Sequence, residues 1–195
     1  TAGILAVSSN TGSIKIGEMI SNDKLYEYLT KFGIGVKTGS GLPGESRGIL
    51  PKVADWSGTT APTVAFGQGY SVTAMQATSV FATLANDGIR TSPTVIAGTS
   101  DASGNYTPSA TRESVRVISS ETAAQMRLMM ENVVSANGTA PSAAIPGYRV
   151  AGKTGTAQRI DDTCGCYRGY TASFIGLAPA DNPAYVISVT IQDPK

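Results

Sequence analysis

A lysine, two threonines and two glycines lie close together in the segment Val150-Ala151-Gly152-Lys153-Thr154-Gly155-Thr156. Side chains alternate along a strand, so Lys153 and Thr154 are expected to leave it on opposite faces. Gly152 and Gly155 would remove bulk where another backbone or a substrate comes close. A cation, hydroxyl donors and an open strand edge together suit a peptide that ends in a carboxylate and adds to the edge as a further strand. The alternative is an ordinary strand with a surface lysine.

The same segment also matches the phosphate-binding loop G-x-x-x-x-G-K-[ST], over residues 147–154. That loop needs a buried strand before its first glycine and a helix that begins at the Lys-Thr pair. The residues before Gly147 end in Pro146, which is unfavourable in a strand, and Gly155 with Thr156 is a weak start for a helix. The sequence therefore favours the strand, and a nucleotide-binding protein is kept as the alternative.

Composition excludes several kinds of chemistry. The 195 residues are 41% apolar and 15% charged, with a formal net charge of +1, so neither a nucleic-acid partner nor disorder is predicted. The chain has no histidine, which excludes a Ser-His-Asp triad, a Cys-His pair and histidine-based zinc sites. No metal and no cofactor are predicted. Acyl transfer in such a chain would need a serine–lysine arrangement.

Two serine segments could take part in that arrangement. Taken alone, Ser8-Ser9-Asn10 is typical of a loop or a helix cap, because these side chains bind local backbone. Ser21-Asn22-Asp23-Lys24 matches the S-x-x-K nucleophile motif of penicillin-binding enzymes. Its neighbours are polar, and Ser21 and Asp23 suit the start of a helix, so we interpret this match as a cap rather than a nucleophile.

The periodicity of apolar residues predicts an α+β fold with an antiparallel sheet flanked by helices. Helices are predicted at residues 23–32, 73–86 and 121–136, and strands at 115–118, 148–158, 170–177 and 185–191, the last two joined as a hairpin by the turn 179–183. Residues 33–72 are predicted to be an ordered loop, and residues 91–113 a second loop with a hairpin tip at 101–105. The methionine-rich stripe of the third helix is predicted to fill the core.

The loop 159–169 carries Asp161, Asp162, Cys164 and Cys166. Two cysteines are too few for a metal site, and a disulfide across one residue is tight, so two free thiols are the expected state and a bridge the alternative. No stretch reaches the ~20 apolar residues of a membrane span. The first residues of the chain are apolar and carry no start signal, so the chain is expected to begin in the middle of a domain.

Five motifs occur in an order that resembles one known family. They are Ser8-Ser9-Asn10 (S-x-N); Thr38-Gly39 to Leu42-Pro43-Gly44-Glu45 (T-G-x-x-L-P-G-E); Gly67-Gln68-Gly69-Tyr70-Ser71-Val72-Thr73-Ala74-Met75-Gln76 (G-x-G-x-S-V-T-x-x-Q); Lys153-Thr154-Gly155-Thr156 (K-T-G-T); and Ser173 to Pro179, the strand that follows it. Together they resemble the transpeptidase domain of class B penicillin-binding proteins, of the septal, cell-division type. The Cys-Gly-Cys-Tyr loop is similar to that of actinobacterial members.

The resemblance implies a β-lactamase-like fold and a D,D-transpeptidase that cross-links peptidoglycan stem peptides through a serine acyl-enzyme. It implies D-Ala-D-Ala stem peptides and β-lactam antibiotics as ligands. It also implies division proteins as partners and a location on the extracytoplasmic face of the bacterial cytoplasmic membrane. A non-catalytic scaffold that only docks division partners is a further alternative.

By the same resemblance, Ser8 and Lys153 would relay or orient a proton for the leaving group. Asn10 would offer its amide to the donor peptide. Thr154, Gly155 and Thr156 would form the substrate-binding strand, with both threonine hydroxyls on the terminal carboxylate and the Thr156 N–H in the oxyanion hole.

The family's nucleophilic serine lies upstream of S-x-N, and its domain continues past the last strand seen here. Residues 1–195 are therefore expected to be the C-terminal portion of one transpeptidase domain, without the nucleophile segment and the last element. Such a chain is expected to be inactive alone, to leave its sheet and helices incompletely covered, and to have the rest of its own domain as a partner.

Overall fold

The computed structural model describes residues 1–110, 112–161 and 163–195. Its helices are α1 (Ala2–Ala6), α2 (Asn10–Gly17), α3 (Asn22–Lys31), α4 (Thr60–Ala65), α5 (Ala74–Ala85) and α6 (Ser120–Met130), with 3₁₀ turns at Val53–Asp55, Glu131–Val134 and Pro141–Ala143. Its strands are β1 (Ile89–Thr91), β2 (Gly98–Ser100), β3 (Tyr106–Pro108), β4 (Ser114–Arg116), β5 (Ala151–Asp161), β6 (Cys166–Ala178) and β7 (Tyr185–Gln192).

The main sheet has the antiparallel order β5-β6-β7, which confirms the predicted α+β class and the C-terminal hairpin. Its register places Lys153 beside Ile175 and Ile175 beside Ser188, so these three residues share one face. The predicted strand at 148–158 is wrong in its bounds, because β5 begins three residues later and runs on into the hairpin with β6. Those hairpin contacts are made across strands and leave no local signal at the strand ends.

Helices α5 and α6 cover one end of the sheet. Their buried side chains meet those of β5 and β6 in one cluster, formed by Leu84, Met130, Ala151, Leu177 and Ala180. The predicted core role of the methionine stripe is confirmed at Met130, which is 2% exposed. On the opposite face of β7, Ile187, Val189 and Ile191 are exposed, which agrees with the expected incomplete cover of the sheet.

Helix caps explain where two of the predicted helices begin. Ser21 caps α3 by accepting from the Lys24 N–H at 3.2 Å, so the S-x-x-K match at 21–24 is a cap, as interpreted. Thr73 and Gln76 form a reciprocal capping box at the start of α5. The third predicted helix, 121–136, is too long: α6 ends at Met130 and the chain continues as a 3₁₀ turn. Consecutive β-branched residues at Val133 and Val134 disfavour a longer α-helix.

Three helices lie in segments that the sequence did not predict to be helical. α1 occupies the apolar start, and α2 begins where Ser9 Oγ accepts from the Gly12 N–H at 3.1 Å. α4 lies within the predicted loop 33–72. Pro62 made this segment look unfavourable for a helix, but proline is tolerated in the first turn, where Pro62 lies. These helices are five to eight residues long, so packing rather than local propensity holds them.

The loop 91–113 contains the predicted hairpin tip at 101–105, between β2 and β3. Here the Asp101 carboxylate accepts from the N–H groups of Ser103 and Asn105, each at 2.9 Å. The last residue of β1, Thr91, also belongs to this segment. β1 pairs with β4 (Ser114–Arg116), which overlaps the predicted strand 115–118. Thr111, within the predicted loop, lies outside the described residues.

The expectation of two free thiols is wrong, because Cys164 and Cys166 form a disulfide. Their Cα atoms are 5.2 Å apart, inside the range that a bridge requires. Gly165 between them has a φ of 62°, a left-handed conformation that lets the chain fold back over one residue. Asp162, placed with them in the predicted loop, lies outside the described residues.

Among the described helices, none combines the length and the apolar character needed to cross a bilayer.

Candidate active-site groove

Lys153 lies near the start of β5, on the face of the sheet that it shares with Ile175. Its Nζ donates to Ser8 Oγ at 2.6 Å and to the Thr154 carbonyl oxygen at 3.0 Å. The lysine is partly buried, and this burial lowers the pKa of its ammonium from the usual 10.5. Two residues that are 145 positions apart in the chain therefore meet at one charged hydrogen bond.

Ser8 lies in the short connection between α1 and α2. Its φ is 52°, a left-handed conformation that costs a residue with a side chain roughly 1 kcal/mol. Two backbone hydrogen bonds hold the connection, Ser8 N–H to Leu5 O at 3.2 Å and Ser9 N–H to Ile4 O at 3.0 Å. As a result, the Ser8 hydroxyl points to Lys153, while the neighbouring Ser9 caps α2.

A groove of about 1080 Å³ gathers the predicted site residues. All six of them line it, namely Ser8, Asn10, Lys153, Thr154, Gly155 and Thr156. Asn10 reaches the groove because it is the first residue of α2, directly after the Ser8 connection. The two segments lie against each other at Ser8 and Lys153, in agreement with the expectation that these two side chains act together.

The floor of the groove is a hydroxyl-rich part of the sheet. Alternate residues of β6 and β7 line it, namely Thr171, Ser173, Ile175, Ser188, Thr190 and Gln192. The register sets Gly155 beside Ser173 and Ser173 beside Thr190. Short polar side chains therefore continue across the sheet from the K-T-G-T segment.

The two glycines of β5 make room for the neighbouring strand rather than for a visiting chain. A Cβ on Gly152 would lie 2.5 Å from Cζ of Phe174, whose ring covers this part of the sheet. A Cβ on Gly155 would lie 2.6 Å from Ser173 Oγ. Gly152 therefore requires glycine because of the Phe174 ring, whereas at Gly155 the Ser173 hydroxyl would have to rotate away.

Sequence reasoning missed Thr139, which also lines the groove. Its Oγ1 lies 2.9 Å from Thr154 Oγ1, and its N–H donates to Ala6 O at 3.1 Å. The residue follows Asn137-Gly138, a pair typical of a helix end, after the predicted helix 121–136. A hydroxyl directly after that pair was the available signal.

A further wall of the groove comes from the segment before α5 and the first turn of this helix. Phe66, Tyr70 and Thr73 are among its lining residues. Burial raises the pKa of the Tyr70 phenol, so this side chain stays neutral. The wall therefore offers aromatic surface without charge.

The phosphate-loop alternative is wrong. Lys153 and Thr154 lie inside β5, paired with Ile175 and Phe174, and no helix begins there among the described residues. A phosphate loop needs the helix amide groups that follow the Lys-Thr pair. The extended backbone at this position removes the nucleotide site.

The whole chain, residues 1–195, matches the family described as penicillin binding protein transpeptidase domain. It is 43% identical to penicillin-binding protein PbpB of Mycolicibacterium smegmatis, covering 100% of this chain and 31% of that one. It is 33% identical to peptidoglycan D,D-transpeptidase FtsI of Escherichia coli, covering 99% and 31%.

A similar solved structure is penicillin-binding protein 3 from Mycobacterium tuberculosis in complex with aztreonam. Its TM-score to this chain is 0.96, with 42% sequence identity over 100% of this chain and 45% of the other. The chain thus spans about a third of the length of the curated relatives it matches, for example 31% of PbpB.

Proposed function

The chain belongs to the penicillin-binding protein transpeptidase family, and from this premise we propose that it forms part of a peptidoglycan D,D-transpeptidase. The observation that carries the proposal is the 2.6 Å contact between Lys153 Nζ and Ser8 Oγ, inside a groove that also holds Thr154 and Thr156. A serine–lysine pair is a known means of acyl transfer without histidine, and this chain has none. The substrate would be a stem peptide ending in D-Ala-D-Ala.

The terminal carboxylate of that peptide would bind the hydroxyls of Thr154 and Thr156, with Lys153 adding positive charge. Charge-assisted hydrogen bonds of this kind are about twice as strong as neutral ones. The peptide would lie along the outer edge of β5, to which no strand is paired among the described residues. The Thr156 N–H would stabilise the oxyanion that forms at the scissile carbonyl.

Ser8 would then protonate the leaving group, and its oxygen would take a proton from the Lys153 ammonium that donates to it. Because Lys153 donates to Ser8 Oγ, the hydroxyl hydrogen of Ser8 is left to donate to the nitrogen of the breaking amide bond. Asn10 is the first residue of α2, directly after this connection, and its amide would hold the backbone of the donor peptide. The amine of a second stem peptide would finally take the acyl group.

The attacking serine is proposed to come from outside residues 1–195. The one S-x-x-K match in the chain, Ser21 to Lys24, is a helix cap on α3 and does not line the groove. A serine supplied by another part of the polypeptide would lose its hydroxyl proton to a base outside residues 1–195 as its oxygen attacks the carbonyl carbon. The C–N bond would then break, and D-alanine would leave with the proton from Ser8 on its nitrogen. β-Lactams would acylate the same oxygen by opening their ring.

The substrate fixes the proposed location. Peptidoglycan lies outside the cytoplasmic membrane, so the domain would work on the extracytoplasmic face of that membrane. The disulfide between Cys164 and Cys166 supports an oxidising compartment. The remainder of the domain would cover the exposed apolar face at Ile187, Val189 and Ile191, and division proteins are proposed as further partners of the parent protein.

Labelling with a fluorescent penicillin tests this proposal. The parent protein, meaning the whole natural polypeptide that contains these residues, should give a covalent band on a denaturing gel, whereas the 195-residue chain alone should give none. Lys153→Ala in the parent should remove most of the band, and Lys52→Ala, an exposed lysine outside the groove, should not. A correctly folded parent that resists acylation would instead support the non-catalytic scaffold.

A further inference from the structure

Thr139 contacts the proposed carboxylate site from outside its motif. Its Oγ1 lies 2.9 Å from Thr154 Oγ1, and both side chains line the groove beside Lys153. The geometry allows either hydroxyl to be the donor. Which of them donates decides what Thr154 can offer a ligand.

Each threonine hydroxyl carries one hydrogen and two lone pairs. If Thr154 donates to Thr139, its only hydrogen is used, and it can present only lone pairs to a carboxylate. If Thr139 donates instead, the Thr154 hydrogen is available to the groove, and the first hydrogen bond polarises the second. An anion in the groove therefore requires Thr139 as the donor.

The backbone around Thr139 is held on two sides. Its own N–H donates to Ala6 O at 3.1 Å, two residues before Ser8, and the Ala140 N–H donates to Val133 O at 2.9 Å. Gly138 lies so close to this turn that a Cβ there would be 2.1 Å from Val133 O. The backbone of Thr139 is therefore fixed relative to the Ser8 connection before any ligand arrives, and its hydroxyl lies within hydrogen-bond distance of Thr154 on β5.

We propose that Thr139 is a positioning residue of the carboxylate site: it donates to Thr154 Oγ1 and so directs the Thr154 hydroxyl hydrogen to the carboxylate of the substrate. This inference rests on the proposed transpeptidase function and adds to it the residue that orients Thr154. A purely structural role would make a different prediction, because Thr139 is exposed and a surface hydroxyl pair contributes little to folding.

The test compares two ligands in the parent protein, a penicillin with its free carboxylate and the methyl ester of the same penicillin. Thr139→Val keeps the shape and removes the hydroxyl. We expect it to lower the second-order acylation rate of the free acid about tenfold, the size of one hydrogen bond to a charged group, and to change the ester rate less than about twofold. Thr139→Ser keeps the hydroxyl, so it should keep the wild-type ratio of the acid rate to the ester rate.

Two controls separate positioning from structure. Thr91 and Ser114 form a hydroxyl pair of the same length, 2.9 Å, on β1 and β4 and outside the groove, so Thr91→Val should leave both rates unchanged. In a Thr154→Val background, the Thr139 change should have no further effect on the acid.

The outcomes distinguish the two proposals. If neither penicillin labels the folded wild-type parent, the proposed function fails, and this inference fails with it. If the wild type is labelled but Thr139→Val keeps the wild-type preference, or lowers both rates equally, only the role of Thr139 is overturned. If Thr139→Val does not fold, Thr139→Ser and Thr139→Ala, compared for the acid-to-ester ratio, decide the same question.

Discussion

Lys153 Nζ donates to Ser8 Oγ at 2.6 Å, and this single contact joins β5 to the connection between α1 and α2. Because the ammonium is the donor, the serine oxygen accepts and its own hydrogen is left for another group. A lysine that donates in this way does not act as the base for Ser8. The contact therefore supports proton delivery by Ser8, with the charged form of Lys153 as the working state.

Replacement of two adjacent serines should separate chemistry from folding. In the parent protein, Ser8→Ala should lower penicillin acylation by about 10²–10⁴-fold, the usual contribution of a general acid, with little change in stability because the side chain is exposed. Ser9→Ala should instead cost about 1 kcal/mol of stability, because Ser9 Oγ caps α2.

The measurements for this pair are acylation rates with a fluorescent penicillin and unfolding in urea. Ser103→Ala, on the distant β2–β3 tip, is the control for both. Equal loss of acylation in Ser8→Ala and Ser9→Ala would show that only the fold of the connection matters, and it would contradict a chemical role for Ser8.

The pH dependence of acylation should report Lys153. Burial lowers the pKa of this ammonium below the usual 10.5, and the charged form is the stronger donor to Ser8 and the one that can pass it a proton. The acylation rate of the parent should therefore fall as pH rises, with a midpoint below 10.5. Lys153→Arg should move this fall to higher pH, because a guanidinium stays charged throughout the range.

Rates measured between pH 6 and 11 with one penicillin would test this dependence. Lys52→Arg, at an exposed position outside the groove, is the matched control and should leave the profile unchanged. A rate that rises through the same pH range would mean that the neutral amine is the active form, and the proposed role of Lys153 would be wrong.

The sequence predicted the strand that carries Lys153, because alternation and glycine content are local properties of residues 150–158. It also predicted the cap at Ser21, since a cap joins residues that are only three positions apart. It did not predict α4, which packs against α2, a helix more than forty residues earlier in the chain. Local reasoning succeeded where the interaction itself is local.

The site was predictable only in part for the same reason. Ser8-Ser9-Asn10 alone indicates a cap, and one of its residues, Ser9, does cap α2. The contact of Ser8 with Lys153 depends on a left-handed φ and on a lysine 145 positions away, and neither is visible in the triplet. Thr139 was missed because its partner Thr154 is set by tertiary structure.

Glu45 should stabilise the segment after α3 in a pH-dependent way. Its carboxylate accepts from the Thr38 hydroxyl and from the Thr38 N–H, the latter at 2.7 Å. These bonds hold the pKa of Glu45 below the usual 4.5, and the bond from the Thr38 hydroxyl contributes most. A lowered carboxyl pKa means that the stabilisation is complete above 4.5 and is lost as pH falls through the folded-state pKa.

Glu45→Gln in the parent should therefore reduce the free energy of unfolding at pH 7, and the difference from wild type should shrink toward pH 3. Urea unfolding at the two pH values measures this difference. Glu113→Gln removes the same charge at an exposed position and should show no comparable change with pH. A deficit of equal size at both pH values would show that the carboxylate charge is not what stabilises the segment.

Arg127 should be among the most sensitive positions for stability, because it joins α6 to the end of α5 and to the turn between β6 and β7. The residue is 6% exposed, and its side chain donates to Ala180 O at 3.1 Å, to Leu84 O at 2.6 Å and to Asp87 Oδ1 at 3.0 Å. A lysine cannot reproduce this fork, so Arg127→Lys would leave buried carbonyl groups without a donor.

We expect Arg127→Lys to lower the free energy of unfolding by about 2–4 kcal/mol, in the range for loss of buried, charged hydrogen bonds. Arg168→Lys, at an exposed ion pair with Asp161, should cost less than about 1 kcal/mol. Thermal and urea unfolding of the parent would compare the two. If Arg127→Lys and Arg168→Lys lower the free energy of unfolding equally, the turn that contains Ala180 is held by its apolar contacts alone. The position of the sheet against α5 and α6 would then not depend on Arg127.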